Sequence, residues 1–181
     1  MQGKVIQVST SPGGVPNYPV LEGHLDTEGF AGDGWNNRKR HGGANQAVLL
    51  LASEVIEELR ALGYPVFPGA LGENITTESV DFAHLRAGQR FRLGEAIIEL
   101  TKIRTPCSTL DTYGPGIQRC IYDLRVKQAD PTSPVWAKSG FYARVLRAGV
   151  VKAHDPITLL SFDPPELGLT AQAAASTPEP S

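Results

Sequence analysis

Gln89-Arg90-Phe91-Arg92-Leu93-Gly94-Glu95-Ala96-Ile97-Ile98-Glu99-Leu100-Thr101-Lys102-Ile103 is the stretch on which the fold turns. Gly94 divides it into two runs, Gln89 to Leu93 and Glu95 to Ile103, which read as the strands of a hairpin. In the second run Ala96, Ile98 and Leu100 share one face, while Glu95, Glu99 and Thr101 share the other. That alternation predicts a strand with one face in a core. The strand then runs directly into Arg104-Thr105-Pro106-Cys107, so an arginine and a cysteine arrive together at a strand end.

Working outward, the same period-two signals recur. Gly3 to Thr10 opens with Val5, Ile6 and Val8 and reads as a strand, closed by Ser11-Pro12-Gly13-Gly14. Asn17 to Asn37 is rich in glycine and polar residues and predicts short strands and loops. Ala47 to Ala52 is wholly apolar and fits a buried strand. Ser53 is then read as the cap of a helix carrying Val55, Ile56, Leu59 and Leu62 at helical spacing, ended by Gly63. A second helix is predicted from Ile117 to Val126, with Ile117, Cys120, Ile121 and Leu124 on its buried stripe. Gly140 to Leu146 and Pro156 to Phe162 read as the last strands, separated by a turn at Gly149. The pattern is mainly β with a few short helices.

The chain of 181 residues is long enough for one full core and short for two. The expected organisation is a single domain over residues 1–163, with an Ala, Pro, Ser and Thr-rich tail over 164–181 that lacks periodicity and is expected to be disordered. A net charge of −2 gives no broad basic field, which argues against nucleic acid as the main partner. No apolar segment reaches the roughly 18 residues of a membrane span, and the start of the chain does not read as a signal peptide. No membrane partner and a cytoplasmic location are therefore expected. The two cysteines, Cys107 and Cys120, are too few for a disulfide scaffold or an iron-sulfur cluster.

Three segments carry residue types suited to chemistry. In Arg38-Lys39-Arg40-His41-Gly42-Gly43, cations precede two glycines whose backbone can approach an anion closely, above all a phosphate. Taken alone, the segment reads rather as a glycine turn flanked by solvated basic residues. In Pro68-Gly69-Ala70-Leu71-Gly72-Glu73-Asn74, Glu73 and Asn74 offer paired donors and acceptors to a polar heterocycle. The plainer alternative has the glycines making turns while Glu73 satisfies a backbone N–H or pairs with an arginine. In Arg104-Thr105-Pro106-Cys107, the neighbouring cation favours the thiolate, which attacks sulfur or binds a soft metal. Polar Ser108, Thr109 and Asp111 suit a reactive Cys107, whereas the helical stripe suits Cys120 as a small buried residue.

In this order, these three segments resemble the successive motifs of MOSC domains, the fold named after the C-terminal part of molybdenum-cofactor sulfurases. Gly88 to Ala96 and Gly140 to Val145 resemble family segments too, so the likeness runs from about Gly3 to Leu160. It implies a β-barrel-like fold and a site for the molybdenum cofactor, a pterin dithiolene with a terminal phosphate. By the same resemblance Cys107 would ligate molybdenum and act as the catalytic residue. Arg38, Arg40, His41, Gly42, Gly43, Asn45, Glu73, Asn74, Arg104 and Thr105 would bind the cofactor. Where the family commonly has Pro-Asp after the two glycines, this chain has Ala44-Asn45, which removes a charge but leaves a hydrogen-bonding amide.

Two functions are compatible with those residues. One is a reductase of small N-hydroxylated compounds, supplied with electrons by a separate reductase, because no flavin, nicotinamide or iron-sulfur motif is present. The other is a sulfur carrier, in which Cys107 takes a persulfide from a cysteine desulfurase and passes it to an acceptor such as the molybdenum cofactor. In sulfurases the domain accompanies a pyridoxal-phosphate domain; no pyridoxal-phosphate site is expected in this chain.

Overall fold

The structure, a computed structural model, describes residues 2–34 and 43–162, with the side chains of residues 161 and 162 left aside. Its strands and helices, in chain order, begin with β1 (Gln2–Thr10), β2 (Tyr18–Val20), β3 (Glu22–Asp26), β4 (Gly29–Phe30) and β5 (Val48–Ala52). They continue with α1 (Ser53–Ala61), β6 (Ile75–Glu78), β7 (Gln89–Leu93), β8 (Ala96–Ile103), α2 (Ile117–Ile121) and α3 (Leu124–Lys127). The last three are β9 (Phe141–Arg147), β10 (Gly149–Lys152) and β11 (Pro156–Phe162).

Seven strands close on themselves in the order β1, β6, β5, β9, β8, β7, β11, and β11 returns to β1 through Gln2 opposite Thr158 and Lys4 opposite Pro156. The fold is therefore a mainly β, closed barrel, with β2 attached outside the ring on β1. Closure removes the unpaired edges that an open sheet of this size would expose. All ring pairings are antiparallel except β5 with β6. A parallel neighbour cannot be reached through a tight turn, and α1 supplies the crossover. The wholly apolar β5 lies at this junction with every residue buried.

The interior is filled by the inward residues of the alternating strands. Ala96, Ile98 and Leu100 of β8 are at most 1% exposed, and they meet Val5, Leu51, Ile75, Phe91 and Phe141. The hairpin expected around Gly94 forms, with Leu93 opposite Ala96. On the outer face of the same strands, Arg90, Glu99 and Arg144 stand side by side in register.

Four local expectations change. Ser53 is the first residue of α1 rather than its cap; Ala52 holds the extended cap conformation, and the Ser53 hydroxyl turns to Glu54. The helix expected from Ile117 to Val126 breaks at Tyr122, whose backbone is extended. Asp123 then restarts it by accepting the Val126 amide, a side-chain cap that outcompetes helix continuation. Leu124 consequently leaves the buried stripe and is 65% exposed. The supposed turn at Gly149 opens strand β10, which pairs with β3 in a second sheet of order β10, β3, β4. Arg38, Arg40, His41 and Gly42, together with the tail over 164–181, lie outside the described residues.

Candidate functional site

The site begins where β8 leaves the barrel. The Arg104 amide donates to the Gly140 carbonyl at 2.9 Å, and the Ser139 hydroxyl donates to the Arg104 carbonyl at 2.6 Å. This clamp needs glycine at position 140: its φ is +93°, and a Cβ there would sit 2.5 Å from the Leu50 carbonyl oxygen. The strand end is thus held while its side chains are presented.

Arg104 is only 5% exposed, and its Nη1 has no hydrogen-bond partner among the described residues. Tyr142 of β9 takes a hydrogen bond from the guanidinium. Burial pulls the arginine below its ordinary value, opposed by the nearby Tyr142, Cys107 and Glu73. A buried, unmade bond at a charged donor costs on the order of 1–3 kcal/mol or more. Such an atom marks a place built to receive an acceptor.

Three residues on, Cys107 is half-buried and stands at the head of a 3-10 turn over Ser108–Tyr113. Leu110, fully buried, pins that turn into the core and donates its amide to the Cys107 carbonyl. Cys107 Sγ and Thr109 Oγ1 are 3.2 Å apart. Burial pushes the thiol up. The Thr109 hydroxyl and amide, with the Arg104 charge, more than offset it and leave Cys107 below the ordinary thiol range. The thiolate form is the one this setting favours.

The loop before β6 forms a wall of the same site. Glu73 has no exposed surface and accepts from the amides of Gly69 at 2.6 Å and Leu71 at 3.2 Å, and from the Thr76 hydroxyl at 3.1 Å. Burial pushes its carboxyl up, while these donors and the Arg104 charge pull the other way. Asn74 is equally committed: Oδ1 accepts the Leu49 amide, and Nδ2 donates to the Ser9 carbonyl and to Asp33 Oδ2 at 2.7 Å. Asn17 and Gln7 add bonds to the loop carbonyls of Gly72, Glu73 and Pro68. The plainer alternative describes these groups: Glu73 and Asn74 spend their polar atoms on the chain and fix the loop that faces Arg104.

Gly43 has φ +85° and precedes a short 3-10 turn over Ala44–Gln46. There the Asn45 carbonyl accepts from Thr101 Oγ1 at 2.6 Å. Thr105 is exposed, with Oγ1 3.4 Å from the Tyr122 hydroxyl. Cys120 is half-buried, 3.8 Å from the Tyr64 hydroxyl and from the Gly116 carbonyl. The structure therefore gathers Arg104 and Cys107, backs them with Glu73, and keeps Cys120 with Tyr64. Tyr142 is the residue that reading the sequence missed. It lies within the Gly140 to Val145 segment, and the pairing of β9 with β8 sets it opposite Lys102.

A closed β-barrel with a thiol and a buried arginine at a strand exit defines a recognisable class of domain. The chain belongs to the MOSC domain family, whose model matches residues 37–158. That family is of the molybdenum-cofactor-binding type. Among curated relatives, the uncharacterized protein YflK of Bacillus subtilis strain 168 is 33% identical over 153 residues, covering 83% of this chain and 63% of the relative. Protein YiiM of Escherichia coli strain K12 is 28% identical over 141 residues, covering 74% and 57%. The chain thus spans about three fifths of the length of these relatives. Solved structures share the fold: YiiM from Escherichia coli has a TM-score of 0.62 at 23% identity, covering 89% of this chain and 70% of that one. The YuaD protein from Bacillus subtilis has a TM-score of 0.66 at 19% identity, covering 90% and 98%. Among the described residues, no helix is long and apolar enough to cross a membrane.

Proposed function

We propose that the protein binds the molybdenum cofactor with Cys107 as its thiolate ligand and acts as a reductase of small N-hydroxylated compounds. The observation that carries this reading is the pairing of a thiol held below its ordinary pKa with a buried arginine whose Nη1 is unpaired. The donor set fits the group. A soft thiolate suits a soft metal, and an anionic or carbonyl oxygen of a bound heterocycle would complete the Arg104 guanidinium. Cys107 is the thiol presented at this strand exit and would be the residue that holds the metal, with the Arg104 charge beside it.

When bound, the cofactor supplies two-electron redox chemistry, by which an N–O bond is cleaved with two electrons and two protons to give the reduced nitrogen and water. The chain supplies position and electrostatics. Cys107 would anchor the group from the rim of the barrel, and the Thr109 hydroxyl and amide favour the ionised form of its sulfur. Arg104 places a fixed positive charge beside it, desolvated and therefore strong. Tyr142, whose phenol burial pushes up, stays protonated and orients that guanidinium. The electrons would come from a separate reductase protein. Activity in the cytoplasm belongs to the same proposal.

The test is turnover by protein expressed in a cofactor-making host, with a chemically reduced viologen as donor and an amidoxime or N-hydroxylated purine as substrate. The expected result is formation of the amidine or amine by wild type and none by Cys107→Ser. Metal-free protein that carries sulfane sulfur on Cys107 and reduces neither substrate would replace this reading with the sulfur-carrier one, whose donor would be a cysteine desulfurase.

A further inference from the structure

The outer face of β7, β8 and β9 carries its arginines in two ranks. Phe91 and Leu93 of β7, and Ile98 and Leu100 of β8, are buried in the core, so the residues that alternate with them lie on the outside of the wall. In one rank Arg90 lies opposite Glu99, and Glu99 opposite Arg144. In the next, two residues along, Arg92 lies opposite Ile97, and Ile97 opposite Arg147. The register of three strands thus brings four guanidinium-bearing residues onto one surface.

Their charges are only partly answered. Glu99, itself buried, takes Arg90 Nε at 2.8 Å and Arg144 Nη2 at 2.7 Å, which spaces those two guanidiniums and offsets one positive charge. Arg147 donates Nε and Nη2 to the Glu95 carbonyl at 3.1 and 2.6 Å, so a neutral group positions it and its charge is kept. The Glu95 carboxylate, at the end of the hairpin, accepts the Val150 amide at 3.1 Å. Arg92 is exposed. The face is positive on balance in a chain whose net charge is −2, so the remainder of the molecule is acidic on balance. A charge separation of this kind orients an acidic partner before contact and speeds its docking.

Two bulges add apolar surface at the flanks. The pairing of β9 with β8 passes from Arg147 to Val145 and skips Leu146, and the pairing of β11 with β7 passes from Leu159 to Ser161 and skips Leu160. A bulge turns its extra residue out of the ladder, and these two leucines are 45% and 44% exposed. Arginines set among apolar side chains suit a protein partner. A nucleic acid would instead ask for a basic track along its phosphates, which a chain of this net charge does not provide.

We infer that this face docks the acidic surface of a separate electron-donor protein, with Arg92, Arg144 and Arg147 as its charged contacts and Leu146 as an apolar one. The inference rests on the reductase function proposed above, which needs such a donor. Strand β8, which carries Ile97 and Glu99 in this face, is also the strand that leads through Arg104 to Cys107, so the docked protein lies against the wall that presents the thiol.

The full chain, purified from a cofactor-making host, is titrated calorimetrically with two acidic electron carriers, oxidised flavodoxin and a plant-type ferredoxin, at low and at physiological salt. Wild type is expected to bind at least one of them with a dissociation constant on the order of micromolar, as weak electron-transfer pairs do, and to lose affinity as salt rises. Arg92→Glu should weaken binding about tenfold at low salt, whereas Lys127→Glu, the same change of charge on α3, should leave it within about twofold. Leu146→Ser should weaken it about fivefold at both salt concentrations, because an apolar contact is not screened. Thermal melts confirm that each variant is folded. Binding of neither carrier at low salt, or equal weakening by Arg92→Glu and Lys127→Glu, overturns the inference. So does tighter binding of a single-stranded oligonucleotide that responds to Arg92→Glu and ignores Leu146→Ser, which gives the face to nucleic acid. Molybdenum measured on the same samples keeps the two readings apart: carrier binding by metal-free protein leaves the docking face standing while the reductase reading falls, and metal-loaded protein that binds neither carrier does the reverse.

Discussion

Cys107 and Cys120 differ by what surrounds each sulfur. Cys107 faces the Thr109 hydroxyl and the charge of Arg104, which together hold it below the ordinary thiol range. Cys120 packs against Tyr64 and a carbonyl. The thiolate is the reactive form, so a lowered pKa carries alkylation to its plateau at a lower pH. Iodoacetamide labelling of cofactor-free protein, followed by peptide mass spectrometry across pH, should show Cys107 modified first, with a midpoint below the ordinary thiol value. Thr109→Val should move that midpoint upward; a Cys107 midpoint at or above the ordinary value would contradict the arrangement. Reading residues in order revealed the Arg-x-x-Cys pair, because both partners lie on one short stretch leaving one strand. It left Glu73 and Asn74 open between ligand and scaffold, since the amides of Gly69, Leu71 and Leu49 that occupy them are joined only by folding. Tyr142 was invisible for the same reason, lying on a strand remote in sequence from Arg104.

The elements around the site depend on a few close backbone approaches. Gly140 carries a positive φ and lets β5 and β9 meet where the Arg104 amide is bound. Gly140→Ala combines conformational strain with a contact too short to keep, and should cost about 2 kcal/mol or more by urea unfolding. It should also slow labelling of Cys107 at neutral pH, because Arg104 shifts with its clamp; unchanged stability would show that the strand exit is not held as described. Strands with strict alternation, β7, β8 and β11, were legible because burial of one face dictates their period. The division of the second helix was not, since the stripe of Ile117, Cys120 and Ile121 is real while Asp123 interrupts it with a cap that outweighs periodicity. Strand β10 escaped for a related reason: four residues after Gly149 carry too little pattern, and their pairing with β3 is entirely long-range.

At the scale of the molecule, a closed seven-strand ring gives a rigid wall, and everything proposed for function sits on the part of it where β8 and β9 leave the ladder. The barrel was foreseeable only through the resemblance of ordered motifs, because neither closure between β1 and β11 nor the single parallel pair leaves a local signature. The outer-face ion-pair cluster was equally hidden, since Arg90, Glu99 and Arg144 come together by register across three strands. What unites barrel, thiol and arginine in this account is one bound group at the strand exit. The most direct measurement is molybdenum per chain, by elemental analysis, in wild type and Cys107→Ser purified from a cofactor-making host. Near-stoichiometric metal in wild type, lost or greatly reduced in a variant with an unchanged melting temperature, is the predicted result. Equal metal in both proteins, or none in wild type, would contradict the assignment of Cys107 as the ligand.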